Sequence, residues 1–166
     1  MTSKIILILI ILILGPGVLV SYYLAAQANP YGMDALWGNI PNKLKLVYPI
    51  GMLIATIGFF PFTYYCVFKS KQTSHYILGY LLILIPSIAW MPLTVSYIQE
   101  ASTATWIIIR VVLFLVPIGA LLILRQMRSE DSTVFQKSKK WAIIGLYGFI
   151  FHTLILDGIV WPFFFN

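Results

Sequence analysis

The chain has 166 residues, of which 60% are hydrophobic and only 10% are charged, with a formal net charge of +6. Soluble domains carry about 25% charged residues, so this composition leaves too little polar surface for a water-facing globule. The basic excess does not predict nucleic-acid binding, because no aromatic–basic binding motif accompanies it.

Five apolar stretches follow one another along the chain, at about residues 4–25, 46–68, 76–98, 105–125 and 141–165. Each is long enough for a helix to cross about 30 Å of hydrocarbon. Backbone groups in lipid need internal partners, so each stretch is predicted to be a helix. We therefore predict an all-α, polytopic integral membrane protein, with residues 1–166 forming a single domain built as a five-helix transmembrane bundle.

The first span has a second interpretation as a secretory signal peptide. Ala26-Gln27-Ala28 resembles an A-x-A cleavage site after a basic start and an apolar run. However, apolar sequence continues through residues 18–20, which makes the segment long for the apolar core of a signal peptide. We expect a retained span, and the rest of the topology is the same in both cases.

The loop and terminal basic residues lie mostly on one side of the spans. Because such residues collect in cytoplasmic loops, the pattern predicts an N-terminus inside and a C-terminus outside. The default location is a bacterial inner membrane, with membrane lipid as a partner. The inner set is Lys4, Lys69, Lys71, Arg125, Arg128, Lys137, Lys139 and Lys140, and the outer set is Lys43 and Lys45.

Two loops and two small-residue faces stand out between and within the spans. The aromatic outer loop 26–45 is predicted to lie on the membrane interface or to cap the bundle, and the polar inner loop 126–140 to be a solvated connection. Small residues permit close helix approach, so two sets are predicted to be packing faces. They are Gly51, Ala55 and Gly58 in the second span, and Gly145 and Gly148 in the fifth.

Two formal charges lie inside predicted spans, Arg110 in the fourth and Asp157 in the fifth. Each costs about 2.5–3.5 kcal/mol at a helix centre on the insertion scale. Their predicted depths agree, so an ion pair is expected. The pair would be either a structural bridge between the two spans or the polar end of an outer-side cavity. A third alternative has Arg110 alone extending to the interface.

His152 lies near the middle of the fifth span, five residues before Asp157. In an α-helix that separation is about 140° around the axis, so the two are expected not to share a face. His75 is in a loop, which argues against a two-histidine haem or metal site. We expect His152 to bond to a neighbouring helix, with proton transfer as an alternative.

Aromatic residues concentrate in the outer half of the predicted bundle. Some belong to the ordinary interfacial belt, but Trp90 lies too deep in the third span for a pure interface anchor. A small-ligand site is mostly apolar with a few polar groups. We predict such a pocket, with aromatic walls from Trp90, Trp161, Tyr48 and Trp37 and a polar anchor from Arg110 and Asp157.

Two segments are similar to motifs of one membrane-protein family. Trp90-Met91-Pro92-Leu93 is similar to a W-x-P-[LF] segment, and residues 156–161, Leu-Asp-Gly-Ile-Val-Trp, to L-N-x-x-[IV]-W. On these motifs the chain resembles the translocator protein / tryptophan-rich sensory protein (TspO/MBR) family. That family is a compact five-helix membrane bundle with a long first loop beside its C-terminal end. Asp157, Ser87 and Gly51 depart from the family, which has asparagine, asparagine and tryptophan there.

The resemblance implies a cavity near the first loop that binds tetrapyrroles, sterols or similar amphipathic lipids. The positions carried over onto this chain are Trp90, Pro92, Asp157 and Trp161. The leading prediction of function is therefore the binding or movement of a hydrophobic ligand, with the ligand and any cofactor unidentified. A non-catalytic accessory subunit of a larger membrane complex is the alternative, and a homodimer is a further possible assembly.

No catalytic or metal-binding motif is found in the sequence. H-E-x-x-H, G-x-S-x-G and P-loop patterns are missing, and the lone Cys66 has no CxxC partner. We therefore expect no catalytic residues and no metal site. A small intramembrane enzyme, with His152 and Asp157 in proton transfer, remains the third alternative.

Overall fold

The computed structural model describes residues 2–130 and 136–165. Within them, five helices are long and apolar enough to cross a membrane: Thr2–Ala28, Asn42–Lys69, Thr73–Gln99, Thr103–Ser129 and Gln136–Phe165. The described residues are almost entirely helical and contain no strand. The predicted all-α five-helix membrane bundle is confirmed, with most spans a few residues longer than expected at their ends.

The spans are built from seven α-helices and several tighter or wider turns. The α-helices are α1 (Thr2–Ala28), α2 (Asn42–Lys45), α3 (Val47–Tyr64), α4 (Ile77–Gln99), α5 (Thr103–Ser129), α6 (Gln136–Ile150) and α7 (Trp161–Phe165). Two 3-10 helices, Met33–Trp37 and Thr73–Tyr76, lie in the first loop and before α4. Two π-helical segments, Tyr65–Lys69 and Phe151–Val160, extend α3 and α6.

The order of the helices around the bundle differs from their order along the chain. Helix α1 packs on α4, α4 on α5, α5 on α6 and its π-helical extension, and α6 on α3. Helices α1 and α3 approach closely only through the π turn Tyr65–Lys69. We call the end of the bundle that holds Thr2 and this turn the N-terminal end, and the opposite end the C-terminal end. Helix α1 and the second span are therefore closely packed at the N-terminal end and less closely packed toward the C-terminal end.

Glycine pairs set the closest approaches between helices. A Cβ on Gly58 of α3 would lie 3.0 Å from the Cα of Gly145 on α6, and a Cβ on Gly79 of α4 would lie 2.9 Å from the carbonyl oxygen of Gly119 on α5. Neither backbone can give way, so both crossings require glycine. The predicted packing faces of spans two and five are confirmed where Gly58 meets Gly145.

The core of the N-terminal half is large, aromatic and closed. Phe62, Tyr65, Tyr76 and Tyr80 are fully buried there and pack against side chains from all five spans. Cys66 is buried beside them, as expected of a small apolar residue. This end of the bundle is therefore a packed core.

The inner loop differs from its prediction at Glu130, which is 7% exposed rather than solvated. One of its carboxylate oxygens accepts hydrogen bonds from Tyr65 and Tyr76, at 3.1 and 3.0 Å. The other accepts from the Ser70 hydroxyl at 2.7 Å and the Lys71 backbone N–H at 2.9 Å. Because four donors satisfy the carboxylate, the residue can be buried. The part of this loop at 131–135 lies outside the described residues.

Candidate functional site

A polar pair on the fifth span occupies the C-terminal half of the bundle. The Nε2 atom of His152 lies 3.4 Å from the Oδ2 atom of Asp157. The expectation that these residues do not share a face is wrong, because Phe151–Val160 is π-helical rather than α-helical. The i→i+5 repeat of a π-helix stacks residues five apart on one side. The wider turn therefore creates the pair.

Arg110 does not form the ion pair predicted for it. Its guanidinium lies 5.3 Å from the centre of the Phe114 ring, and among the described residues the only ion-pair partner of Asp157 is His152. The Phe114 ring in turn lies 3.7 Å from where a Cβ of Gly158 would stand, so it packs against the π-helix next to Asp157. The predicted joint anchor of Arg110 and Asp157 is replaced by Asp157 with His152.

Two tyrosines from different helices lie in the half of the bundle that holds Asp157. Tyr48 of α3 is nearly fully buried, and its hydroxyl donates a 3.0 Å hydrogen bond to the backbone carbonyl of Leu156, the residue before Asp157. Tyr22 of α1 contacts the Trp90 ring. Asp157 itself keeps 26% of its side chain exposed, so the described residues do not fully enclose the carboxyl group.

Trp90 extends the aromatic lining from the tyrosines to the end of the fifth span. Its ring centre lies 5.6 Å from that of Tyr22 and 5.8 Å from that of Trp161. The indole Nε1 of Trp90 is buried and has no hydrogen-bond partner among the residues that the structure describes. Trp90 therefore lies among the aromatic residues of the C-terminal half, with a polar atom that the described residues leave unsatisfied.

The first loop is fastened to the C-terminal end of the chain. Trp161 donates a 2.8 Å hydrogen bond from Nε1 to the carbonyl of Leu36, and its ring stacks on Phe165 with centres 4.1 Å apart. The Asn39 backbone N–H donates to the Phe164 carbonyl at 2.9 Å. Trp161 thus joins the site as a wall, and its polar atom holds the loop over the bundle.

The two remaining predicted site residues lie in different surroundings. Trp37 packs edge-on against Tyr48, with ring centres 5.4 Å apart, and so covers the site from the first loop. Pro92 is exposed on α4 and makes none of the ring contacts described above. The structure brings Trp37, Tyr48, Trp90, Trp161 and Asp157 into one region and leaves Pro92 outside it.

His152 has one ring nitrogen on Asp157 and the other against the second span. Its Nδ1 is buried without a hydrogen-bond partner in the described part of the chain. A Cβ on Gly51 would lie 2.7 Å from this Nδ1 and 2.7 Å from Cδ1 of Leu156. Gly51 therefore provides the space that the imidazole occupies. Sequence reasoning missed this relationship. The sequence shows a glycine in the second span and a histidine in the fifth, but not that the two face each other.

The described residues contain no group of three or more His, Cys, Asp or Glu side chains that could hold a metal ion. Asp157 and His152 offer two such ligands. Comparison with protein-family models, with curated proteins and with solved structures finds no match. The function of the site is therefore inferred from the geometry of its own residues.

Proposed function

We propose that this protein binds a hydrophobic or amphipathic small molecule, and facilitates its movement, at the C-terminal half of its bundle. The observation that carries the proposal is the buried Trp90 Nε1 without a hydrogen-bond partner among the described residues. Leaving a buried donor unsatisfied costs about 1–3 kcal/mol. A ligand that supplies an acceptor would recover that free energy, whereas an apolar core gives no reason for the cost.

The surroundings of Trp90 have the composition of a small-molecule site. Such sites are mostly apolar walls with a few placed polar groups. Here the walls are aromatic rings from four of the five spans and from the first loop, and the polar groups are Asp157, His152 and the indole N–H. An intramembrane carboxyl group is costly and by default marks a functional site. Asp157 and Trp90 together support ligand binding over simple packing.

The expected ligands are tetrapyrroles, sterols or lipid-like molecules. The first loop, which is held at the C-terminal end by the Trp161–Leu36 hydrogen bond, has the position that the TspO/MBR resemblance implies. By the charge pattern, this end of the bundle is the outer side of a membrane that we take to be a bacterial inner membrane. The site would then receive its ligand from the outer leaflet, between α1 and α3.

An accessory subunit of a larger complex is supported less well. Its small-residue faces would have to be free for partner helices, but Gly58, Gly145, Gly79 and Gly119 are used in contacts within the bundle. The exposed side chains on the spans are mostly large aliphatic and aromatic residues, which lipid tails cover without a partner. A homodimer or a larger assembly would therefore be additional to ligand binding.

Proton transfer is the second candidate function, and one observation favours it. The 3.4 Å contact between His152 and Asp157 joins the two groups that such chemistry would need. Proton transfer would depend on both His152 and Asp157 and would proceed without a bound ligand. Reconstitution into vesicles with an internal pH indicator distinguishes the two functions: a His152-dependent proton flux without added ligand supports the second.

Ligand binding is tested by thermal unfolding of the detergent-purified protein in the presence of haem, protoporphyrin, sterols and a native lipid extract. A ligand that binds the folded state alone raises the unfolding temperature in a saturable manner. We expect one class to do so in the wild type, and to lose at least tenfold in apparent affinity in Trp90→Ala. The matched control is Trp141→Ala, an exposed tryptophan at the N-terminal end. Equal ligand affinity of the Trp90→Ala and Trp141→Ala variants would contradict the pocket hypothesis.

A further inference from the structure

The intramembrane carboxyl group of Asp157 lacks a cationic partner from its own chain. Arg110, the basic residue predicted at its depth, lies on the Phe114 ring instead, and the one ion-pair contact of Asp157 in the described residues is with His152. A carboxylate in a membrane span is normally paired with a cation or faces a polar path. The site therefore offers a carboxyl group without a fixed cation, and such a group favours the ionised form only when a cation balances it.

His152 is poorly placed to supply the missing positive charge. An imidazolium has two N–H donors, and its Nδ1 donor would be buried against Gly51 with no acceptor among the described residues. Burying a charged donor without a partner is strongly unfavourable. A neutral imidazole has only one N–H donor, and Nε2 can direct that donor to Asp157. The histidine thus orients the carboxyl group and leaves the balancing positive charge to be supplied by a ligand.

The aromatic rings near this carboxyl group are of the kind that binds cations. The Tyr48 hydroxyl bonds to the carbonyl of Leu156, the residue before Asp157, and the rings of Tyr22 and Trp90 are in contact. Electron-rich faces of tyrosine and tryptophan attract ammonium groups, by about 2 kcal/mol or more where water is excluded. A carboxylate beside such rings is complementary to an organic cation and repels anions.

The approach to the carboxyl group suits a ligand with an apolar body. Asp157 retains 26% exposure, and α1 and α3, which carry Tyr22 and Tyr48, pack closely only at the N-terminal end. Large aliphatic side chains, including Leu19 on α1 and Leu53 on α3, are exposed along the two helices. The body of a molecule entering there would lie among lipid tails and apolar side chains, with its head at Asp157.

We propose that the preferred ligand is a cationic amphiphile, with a protonated amine or quaternary ammonium head at Asp157 between Tyr22, Tyr48 and Trp90. This proposal rests on the proposed ligand-binding function and narrows it. It also replaces the predicted joint polar anchor of Arg110 and Asp157, because the Arg110 guanidinium lies on the Phe114 ring.

The test compares three probes of one shape in maltoside detergent, which has no charged head group of its own. They are phenylbutyl-trimethylammonium, its neutral isostere with carbon in place of nitrogen, and phenylbutyl sulfonate, and binding is followed by tryptophan fluorescence. We expect saturable binding of the ammonium probe at least tenfold tighter than of the other two. Asp157→Asn should abolish this preference without weakening the neutral isostere, and Asp34→Asn, an exposed carboxylate of the first loop, should leave it unchanged.

The outcomes separate this proposal from the broader one. Equal affinity for the ammonium probe and its isostere, tighter binding of the sulfonate, or no saturable ammonium binding would each overturn the cationic ligand. With the cationic ligand overturned, the broader function would still stand if a sterol or tetrapyrrole stabilised the wild type in a Trp90-dependent manner, and it would fall if no ligand did. Ammonium selectivity that survives in Asp157→Asn would also overturn the proposal, because the charge would then be recognised elsewhere.

Discussion

His152 Nε2 lies 3.4 Å from Asp157 Oδ2, although five residues separate the two along a single helix. The contact depends on ten residues of π-helix, Phe151–Val160, in a span that is otherwise α-helical. Short π-helical insertions inside α-helices occur frequently at functional sites. In this protein the insertion gathers the histidine and the carboxyl group of one span on one side of a π-helix that packs against α3 and α5.

The position of His152 is predicted to depend on Gly51. A methyl group on Gly51 would approach Nδ1 of His152 and Cδ1 of Leu156 to 2.7 Å, and both are side-chain atoms that can be displaced. Gly51→Ala should therefore move the imidazole away and weaken ligand binding more than tenfold, while the protein still purifies as a folded species. Binding is measured by the ligand-dependent thermal shift.

Gly148→Ala is the matched control for Gly51→Ala, since its Cβ would meet Cγ2 of Ile54, also a side-chain atom. It should change stability to a similar extent without altering affinity. An affinity loss of the same size in both variants would mean that the effect comes from general repacking of the second and fifth spans.

Arg110 is predicted to contribute little to folding. It makes a ring contact with Phe114 and has no carboxylate partner in the described residues. Removing it leaves no buried charge uncompensated, and it relieves an insertion cost of about 2.5–3.5 kcal/mol against a ring contact of about 0.5–2 kcal/mol. Arg110→Leu should therefore match or exceed the wild type in unfolding temperature. A clear drop would indicate a partner for Arg110 in the membrane.

The crossing of spans two and five is predicted to require glycine at position 58. A Cβ there would meet the Gly145 backbone, so the helices would have to separate. Gly58→Leu should lower the free energy of unfolding by about 1–3 kcal/mol, as overpacked cores do. Gly15→Leu is the control, because nothing lies within 4 Å of its Cβ position. Equal stability of the two variants would contradict the close crossing.

Glu130 is predicted to make the N-terminal end of the bundle sensitive to acid. Burial alone would raise the pKa of Glu130, but the hydrogen bonds from Ser70, Lys71, Tyr76 and Tyr65 outweigh it and hold the pKa below its ordinary 4.5. A carboxyl group whose pKa is lowered by folding stabilises the folded state above pH 4.5. That contribution is lost as the pH falls through the folded-state pKa.

Glu130→Gln should therefore be less stable than the wild type at neutral pH, and the difference should shrink on acidification below about pH 4.5. Denaturant unfolding at a series of pH values measures it. Glu100→Gln, an exposed carboxylate at the opposite end, should show no such trend. A constant difference between Glu130→Gln and the wild type across the whole series would contradict the role of the charge.

The spans could be predicted from sequence because apolar length alone decides them. The packing faces that hold Gly58 and Gly145 were predictable for a different reason, since small residues on one helical face permit close approach of helices. The π-helix was not predictable, because the same residues in an α-helix would place His152 and Asp157 on different faces. The local sequence does not show whether packing against α3 and α5 selects the α-helical or the π-helical repeat for these residues.

The burial of Glu130 was hidden for a different reason. It follows a polar, charged stretch that resembles an ordinary solvated loop, and its hydrogen-bond donors come from residues 65–76, more than fifty positions earlier. The Arg110–Asp157 prediction failed because equal depth does not fix rotation about the helix axis, and the Phe114 ring lies beside the guanidinium. In both cases the missing information was tertiary.

The indole resonance of Trp90 gives the most direct measurement of ligand binding at this site. In a sample labelled with 15N-tryptophan, the chain gives five indole signals, which single substitutions assign. We predict that one ligand class shifts the Trp90 signal in a saturable manner, because Nε1 gains an acceptor. The signal of Trp141, which is exposed at the N-terminal end, should stay unchanged. If no ligand class moved the Trp90 signal more than that of Trp141, the proposed site would be contradicted.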